Sequence, residues 1–161
     1  MKFDKRRTNY EKRLKKGNKF TDGKTKYVKI SDTINLFESV IKSKDRVCLE
    51  GNNQKQADYL AKKLVKVDSK KINNLHMVQS SIVLPEHIEL FEKGIAKKLD
   101  FAFSGPQAQQ LYDIVREKKV EIGAIHTYLE LFGRYFIDLY PNVSLIAAEY
   151  GDEKGNLYTG F

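Results

Sequence analysis

The chain has 161 residues but a single cysteine, Cys48, and this scarcity excludes several kinds of site. One cysteine forms neither an intramolecular disulfide nor a zinc site with several cysteine ligands. The three histidines are scattered and no His-Glu-x-x-His pattern occurs, so we expect no metal site. Cys48 lies inside an apolar strand pattern, and a lone thiol of this kind is typical of the reducing cytoplasm.

Long apolar runs and nucleotide-binding glycine motifs are also missing. No apolar stretch approaches the roughly 18 residues that a membrane helix needs, and the basic start of the chain is not followed by the apolar core of a signal peptide. No Gly-x-Gly-x-x-Gly motif and no Gly-x-x-x-x-Gly-Lys-Ser/Thr motif occurs. We therefore expect no membrane insertion, no secretion, and no dinucleotide-binding or P-loop site.

The excess of positive charge is confined to one end of the chain. Residues 1–26 hold eleven of the Lys and Arg residues against three Asp and Glu, whereas residues 27–161 hold eighteen of each. We expect a basic N-terminal arm over 1–26, the one stretch whose composition fits disorder, followed by a single α/β domain over 27–161. Because the neutral part lacks a basic face with interleaved aromatics, nucleic-acid binding is not expected.

Strand-like and helix-like segments alternate from Ser31 onward. Apolar runs predict strands over residues 47–50, 75–78, 99–103, 120–125 and 143–148, and helical spacing predicts a helix before each of them. The last twelve residues indicate a hairpin or a loop. Strands that alternate with helices of this length predict an α/β fold, a mostly parallel sheet of about five or more strands flanked by helices on both faces.

Polar residues follow several of these strands, and ligand sites in parallel sheets lie at the carboxyl ends of the strands. After the first strand, a glycine turn and three amide side chains offer donors to a developing oxyanion, but Asn53 could equally be the cap of the next helix. A second glycine turn follows the strand over 99–103. The candidate binding residues are Gly51, Asn52, Asn53, Gln54, Gly105, Pro106 and Gln107.

Catalytic candidates come from the same edge, although the residues alone identify no catalytic group. His126 follows a strand, where it could orient a thioester or a carboxylate or serve as a hydrogen-bonded structural residue. Glu50 and Glu149 are the carboxylate candidates, and either could instead cap a helix or pair with a lysine. His76, inside a strand, is expected to be buried, and His87, in a first helical turn, to be solvated.

One predicted helix carries an unusual density of aromatic residues. Tyr128, Phe132, Tyr135, Phe136 and Tyr140 recur along it. Core packing explains most of this stripe. The three tyrosines would leave an amphipathic surface that another domain or subunit covers.

Six stretches together resemble the malonate decarboxylase alpha-subunit family, the acetyl-[acyl-carrier-protein]:malonate carrier-protein transferases. They are residues 45–58, 75–81, 84–87, 99–107, 121–130 and 155–160, with the basic arm similar to the arginine-rich start of that family. The resemblance implies the fold of the CoA-transferase and sugar-phosphate isomerase superfamily. It also implies a longer protein with a second, similar half that carries the catalytic glutamate of related CoA-transferases, so this chain is expected to be an N-terminal portion.

The resemblance further implies an exchange of acetyl for malonyl on a carrier-protein thioester in the cytoplasm. The implied partners are the acyl carrier protein, other malonate decarboxylase subunits, malonate and acetate, with a homo-oligomer also expected. No cofactor would bind this chain, while the carrier protein would bear a dephospho-CoA-type prosthetic group. Two alternatives stay open: a non-catalytic module for subunit assembly, and a sugar-phosphate isomerase on the same fold.

Overall fold

A computed structural model describes residues 2–51 and 55–159, with side chains described from residue 6 onward in these ranges. In chain order the elements are α1 (Lys2–Gly17), α2 (Thr33–Val40), β1 (Arg46–Leu49), α3 (Asp58–Leu64), β2 (Leu75–Ser81), α4 (Pro85–Glu92), β3 (Ala96–Phe103), α5 (Ala108–Arg116), β4 (Glu121–Ile125), α6 (Tyr128–Ile137), β5 (Val143–Leu145), β6 (Tyr150–Gly151) and β7 (Leu157–Tyr158). These residues form two compact units, one of residues 1–41 with 148–161 and the other of residues 42–147. The grouping differs from the expected boundary at residue 26, because 27–41 and 148–161 join the arm.

The first unit contains a helix where the sequence favoured a disordered arm. In α1, the Arg13 guanidinium donates to the carbonyl oxygen of Val40 at 2.5 Å, and the Lys16 ammonium donates to that of Ser39 at 3.4 Å. Both acceptors lie in the last turn of α2, whose carbonyls carry the negative end of the helix dipole. Part of the basic charge therefore stabilises the end of α2.

The same unit ends in the hairpin that was one of the two expectations for the last residues. Strands β6 and β7 pair antiparallel, and Gly155 in their turn has a φ of +86°. The Tyr27 hydroxyl donates to the carbonyl oxygen of Gly151 at 2.9 Å, and the Lys26 N–H donates to that of Glu153 at 3.0 Å. The hairpin is thus bound to the segment that follows α1.

The second unit is built on a five-stranded sheet in the order β4-β3-β2-β1-β5, with every pair parallel. The chain steps in one direction from β1 through β2 and β3 to β4, so right-handed crossovers place α3, α4 and α5 on one face. It then returns across the whole sheet to β5, which places α6 on the opposite face. This arrangement confirms the α/β fold with helices on both faces.

The core of this unit follows from the alternation of side chains along β2 and β3. Val78 packs with Leu131 and Leu139 from the α6 side. Met77 and Leu99 point to the other face and are fully buried there. Buried apolar side chains thus cover both faces of the sheet. The carboxyl ends of its strands lie along one edge of this packed core.

Candidate functional site

Hydrogen bonds connect the carboxyl ends of β1, β2 and β3. The groups that form them lie at the ends of these strands or in the segments that follow. The Ser80 hydroxyl donates to the carbonyl oxygen of Gly51, which ties the end of β1 to β2. The Gln107 amide donates to the carbonyl oxygen of Val83 at 3.4 Å, which ties the turn after β3 to the segment after β2. The two predicted glycine turns therefore flank the end of one strand.

Gly51 also lies at the point where the crossovers change direction, between β1 and β5. Ligands of open parallel sheets bind in the crevice at such a point. Glu50 links the segments that follow β1 and β5, because one carboxylate oxygen accepts from the N–H of Ala147 at 2.7 Å and the other lies 3.3 Å from the Lys55 ammonium. Of the roles that the sequence left open for Glu50, the lysine pair is the one seen.

Gly51 is required for close approach rather than for a left-handed backbone. A Cβ atom there would lie 2.7 Å from Oε1 of Gln56, 3.5 Å from Cε1 of His87 and 3.6 Å from the carbonyl oxygen of Ser81. Its φ is not positive. Helix α3 begins only at Asp58, so the N–H groups of a helix start do not follow Gly51 directly. The candidates Asn52, Asn53 and Gln54 lie outside the described residues.

In the second turn, Gly105 is required both for close approach and for a left-handed backbone. Gly105 has a φ of +54°, and a Cβ atom there would lie 3.0 Å from Cγ1 of Val83 and 3.2 Å from the carbonyl oxygen of Ile82. Pro106 and Gln107 continue the turn as a short 3-10 helix that runs into α5. This backbone therefore packs closely against the segment that follows β2.

The prediction for His87, which also lies at this edge, was wrong. It was expected to be solvated, but it is completely buried. Its Nδ1 accepts from the N–H of Val83 at 3.3 Å, and burial lowers its pKa to about 4. The spacing to the buried Leu90 and Phe91, three and four residues further along α4, is the signal that would have placed His87 on the inner face.

Five side chains of this unit carry buried polar atoms that have no hydrogen-bond partner among the described residues. They are Nε of Arg46, Oε1 of Gln56, both amide atoms of Gln79, Nε2 of His87 and Nδ1 of His126. An unpaired buried polar atom costs about 1–3 kcal/mol, so native proteins contain few of them. Two of the five side chains, Gln56 and His87, border the same point at Gly51. The crevice therefore offers both an unused acceptor and an unused ring nitrogen.

The candidate His126 belongs to a buried polar cluster instead. Its Nε2 lies 2.8 Å from one carboxylate oxygen of Asp100, and Nε2 of His76 lies 2.6 Å from the other. Burial lowers the pKa of His76, although the Asp100 carboxylate opposes this shift. A Cβ atom on Gly123 would lie 2.1 Å from Asp100, so only glycine leaves room for this carboxylate. His126 is thus buried and in contact with Asp100, and a catalytic role for it stays a prediction.

Glu149 belongs to the first unit. It is exposed and precedes β6, and its N–H donates to the carbonyl oxygen of Tyr158 at 3.0 Å. In the part of the chain that the structure describes, no group of three or more His, Cys, Asp or Glu side chains is arranged to hold a metal ion. Within the same residues, no helix combines the length and the apolar character that crossing a membrane requires.

Helix α6 presents a hydrophobic outer surface, and the predicted Tyr128 is exposed there (54%), but the other residues that form it differ from those predicted. Tyr135 points inward, with its hydroxyl 3.4 Å from Sγ of Cys48, and burial raises the pKa of both groups. Exposed instead are four apolar side chains that we call the α6 apolar face: Leu129 (82% exposed), Phe132 (63%), Phe136 (76%) and Ile137 (75%). A face this apolar is typical of a surface that another chain or segment covers.

Comparisons with known proteins agree on one family. The family model described as "Malonate decarboxylase, alpha subunit, transporter" matches residues 2–161. A protein of Malonomonas rubra named acetyl-S-ACP:malonate ACP transferase is 58% identical over 160 residues, which are 99% of this chain and 28% of that protein.

Two solved structures resemble the fold closely. One is a malonate decarboxylase alpha subunit from Acinetobacter baumannii, 45% identical with a TM-score of 0.93, which covers 98% of this chain and 29% of that one. The other is a Pseudomonas malonate decarboxylase hetero-tetramer in complex with malonate, 45% identical with a TM-score of 0.93, over 99% of this chain and 29% of that one. The chain thus spans less than a third of the length of these relatives.

Proposed function

Because this chain belongs to the malonate decarboxylase alpha-subunit family, we propose that it forms the acyl-thioester-binding part of a transferase that exchanges acetyl for malonyl on a carrier protein. The observation that carries the proposal is the 58% identity, over almost the whole chain, to a protein named acetyl-S-ACP:malonate ACP transferase. The geometry at the edge of the sheet adds independent support.

The edge suits a thioester because two glycines without side chains, Gly51 and Gly105, lie there close to other segments of the chain. Gly51 and Gly105 stand on either side of the end of β2, each packed too closely for a larger residue without rearrangement. A thioester presents one carbonyl oxygen and little other polarity near the reacting carbon, so it needs a narrow site with few polar groups. The crevice at Gly51 contains such groups in Gln56 and His87.

The partners proposed for this chain are malonate, acetate, an acyl carrier protein and other malonate decarboxylase subunits. The solved Pseudomonas hetero-tetramer with malonate supports the subunits and malonate. The carrier protein is supported by the name of the Malonomonas relative. We propose a dephospho-CoA-type group as the thiol of the carrier, on the resemblance alone, and the cytoplasm as the compartment, on the resemblance and the free thiol of Cys48.

The proposal is tested by titrating the purified chain with acetyl-dephospho-CoA in a calorimeter, with dephospho-CoA and a phosphosugar as separate controls. We expect saturable binding of the thioester, weaker binding of the free thiol and none of the phosphosugar. Binding of the phosphosugar alone would favour the isomerase alternative. A folded chain that binds none of the three would contradict the proposal.

A second candidate function, subunit assembly, is favoured by one specific observation, the α6 apolar face. Its four side chains are each more than 60% exposed. Sedimentation velocity of the chain with Leu129→Lys and Phe136→Lys, compared with the unchanged chain, tests this candidate. We expect the unchanged chain to associate with itself or with a partner subunit and the variant to stay monomeric. A monomeric unchanged chain that also binds no partner subunit would contradict it.

A further inference from the structure

One edge of the His87 ring faces Gly51. Its Nδ1 is engaged by the N–H of Val83 at 3.3 Å. Its Cε1, the carbon between the two ring nitrogens, lies 3.5 Å from the position of a Cβ atom on Gly51. The edge that carries Cε1 and Nε2 is therefore the one turned toward the crevice, and Nε2 has no partner among the described residues.

The hydrogen bond from Val83 decides which nitrogen carries the proton. A backbone N–H can only donate, so Nδ1 must be the acceptor and cannot bear a hydrogen in the neutral ring. The single proton of neutral imidazole is then on Nε2. Burial lowers the pKa of His87 to about 4, which keeps the ring neutral near pH 7. His87 thus presents a neutral N–H donor to the crevice, and Nε2 has no free electron pair with which to act as a base.

A second polar group without a partner lies beside the same glycine. The amide oxygen of Gln56 is 2.7 Å from the same Cβ position on Gly51 and is buried without a partner among the described residues. The Gln56 side chain is otherwise half-buried. The surroundings of Gly51 therefore hold both a donor and an acceptor that a ligand could use.

We propose that His87 is a substrate-contacting residue whose Nε2–H donates a hydrogen bond to the carbonyl oxygen of an acyl thioester bound beside Gly51. This inference rests on the proposed function and extends it to a named atom. A preorganised neutral donor strengthens its bond as negative charge develops on an attacked carbonyl oxygen. The same bond satisfies a nitrogen that is otherwise buried without a partner.

Two substitutions of His87 distinguish the contributions of its two ring nitrogens. His87→Asn keeps an acceptor close to the position of Nδ1, so Val83 retains its partner, but it removes the Nε2 donor. His87→Gln places an amide N–H near the position of Nε2 and keeps the donor. His76→Asn is the matched control, because His76 lies in the buried cluster with Asp100.

The experiment is isotope-edited infrared spectroscopy of acetyl-dephospho-CoA labelled with ¹³C at the carbonyl, bound to each protein. We expect the carbonyl band to lie at lower frequency in the unchanged chain and in His76→Asn, to return to the position of the free thioester in His87→Asn, and to be shifted again in His87→Gln. Affinity should fall about threefold to tenfold in His87→Asn, as for the loss of one neutral hydrogen bond.

The tautomer is measured on the unchanged chain by ¹⁵N NMR of the histidine rings, which requires no variant to fold. We expect His87 to carry its proton on Nε2 and that nitrogen to shift when acetyl-dephospho-CoA binds. A proton on Nδ1, or a bound carbonyl band that is the same in the unchanged chain and in a folded His87→Asn, would overturn the role of His87 alone. A folded chain that binds no thioester would overturn the proposed function and, with it, this inference.

Discussion

At the scale of single residues, the burial of His87 links the stability of the protein to pH. The ordinary pKa of histidine is 6.5, and in the folded chain that of His87 is about 4. As the pH falls below 6.5 the unfolded chain takes up a proton that the folded chain does not, so the contribution of His87 to stability is complete above 6.5 and is lost between 6.5 and 4. We expect a loss of about 3 kcal/mol over this range, at 1.36 kcal/mol for each pKa unit.

Urea unfolding of the unchanged chain and of His87→Asn, each at neutral and at acidic pH, measures this contribution of His87 to the free energy of unfolding. The variant should lose less stability on acidification than the unchanged chain. The stability of the variant should still depend on pH, although less than that of the unchanged chain, because burial also lowers the pKa of His76 and that ring remains. Equal losses in the two proteins would show that His87 is charged or exposed in the folded state.

A second prediction concerns the space at Gly51. We expect Gly51→Val to reduce the affinity for acetyl-dephospho-CoA at least about tenfold while the chain stays folded. The nearest obstacle to a new Cβ atom is the end of the flexible Gln56 side chain, which can move, whereas the space for a ligand is lost. Overpacking of this kind costs about 1–3 kcal/mol. Calorimetric titration and urea unfolding of the same samples give both quantities, and an unchanged affinity would contradict the site.

Gly123→Ala provides the contrast for that experiment. Its Cβ atom would meet the buried Asp100 carboxylate, which two histidines hold in place, so nothing flexible can give way. We expect a loss of about 3–5 kcal/mol, comparable to breaking a buried ion pair. A loss as small as that of Gly51→Val would show that the Asp100 cluster is not rigid.

Which single residues could be predicted from the sequence depended on whether their partners are local. The glycines that end β1 and β3 were recognised because a strand, a glycine and polar residues follow one another in the chain. The close packing of Gly51 against Ser81 and His87 could not be predicted, since these residues are brought there only by the fold. His87 was missed although its spacing to Leu90 and Phe91 on α4 is a local signal of burial.

At the scale of elements, helix α6 has a stabilising side-chain cap at its start and a destabilising glycine in its interior. The hydroxyl oxygen of Thr127 accepts from the N–H of Glu130 at 3.1 Å, a side-chain cap at the start of the helix. Gly133 lies inside α6, and a Cβ atom there would have no heavy atom within 4 Å. Glycine in a helix interior is less favourable than alanine by about 0.8–1.0 kcal/mol.

We therefore expect opposite effects from two alanine substitutions in α6. Gly133→Ala should raise the free energy of unfolding by up to about 1 kcal/mol, and Thr127→Ala should lower it by about 1 kcal/mol through loss of the cap. Urea unfolding of the two variants beside the unchanged chain measures both effects. Destabilisation by Gly133→Ala would mean that another segment packs against that position.

The elements were predicted well where hydrophobic periodicity and a turn residue coincide. Pro85 marks the first residue of α4, and the five predicted strands are all present in a parallel sheet. The helix after β1 was expected from about residue 54, whereas α3 runs only from Asp58 to Leu64. The apolar pattern could not show this, because Ala57 is buried but lies before the helix and its N–H donates to Glu50.

At the scale of the whole molecule, the formal net charge of +8 comes from the N-terminal end of the chain. The sequence predicted this position of the charge but not its local structure, since α1 is helical and its Arg13 and Lys16 bind the end of α2. Lys12 and Lys15 are exposed on the same helix. Exposed basic groups speed association with an acidic partner, and salt screens the effect.

We expect Lys12→Glu with Lys15→Glu to weaken binding of an acidic acyl carrier protein at low salt and to change it little at high salt. Lys66→Glu with Lys70→Glu, two exposed lysines of the sheet unit, makes the same change in net charge and is the matched control. Surface plasmon resonance at two salt concentrations compares the association rates. Equal effects of both pairs would indicate a response to net charge rather than to α1.

The central claim is that an acyl thioester binds at the carboxyl edge of the parallel sheet, between the turns that contain Gly51 and Gly105. Titration of the ¹⁵N-labelled chain with acetyl-dephospho-CoA, followed by NMR of the backbone amides, tests it most directly. We predict saturable shifts at Gly51, Gly105 and His87, with the amides of Gly133 and Gly155 unchanged. Saturable shifts confined to residues away from this edge would contradict it.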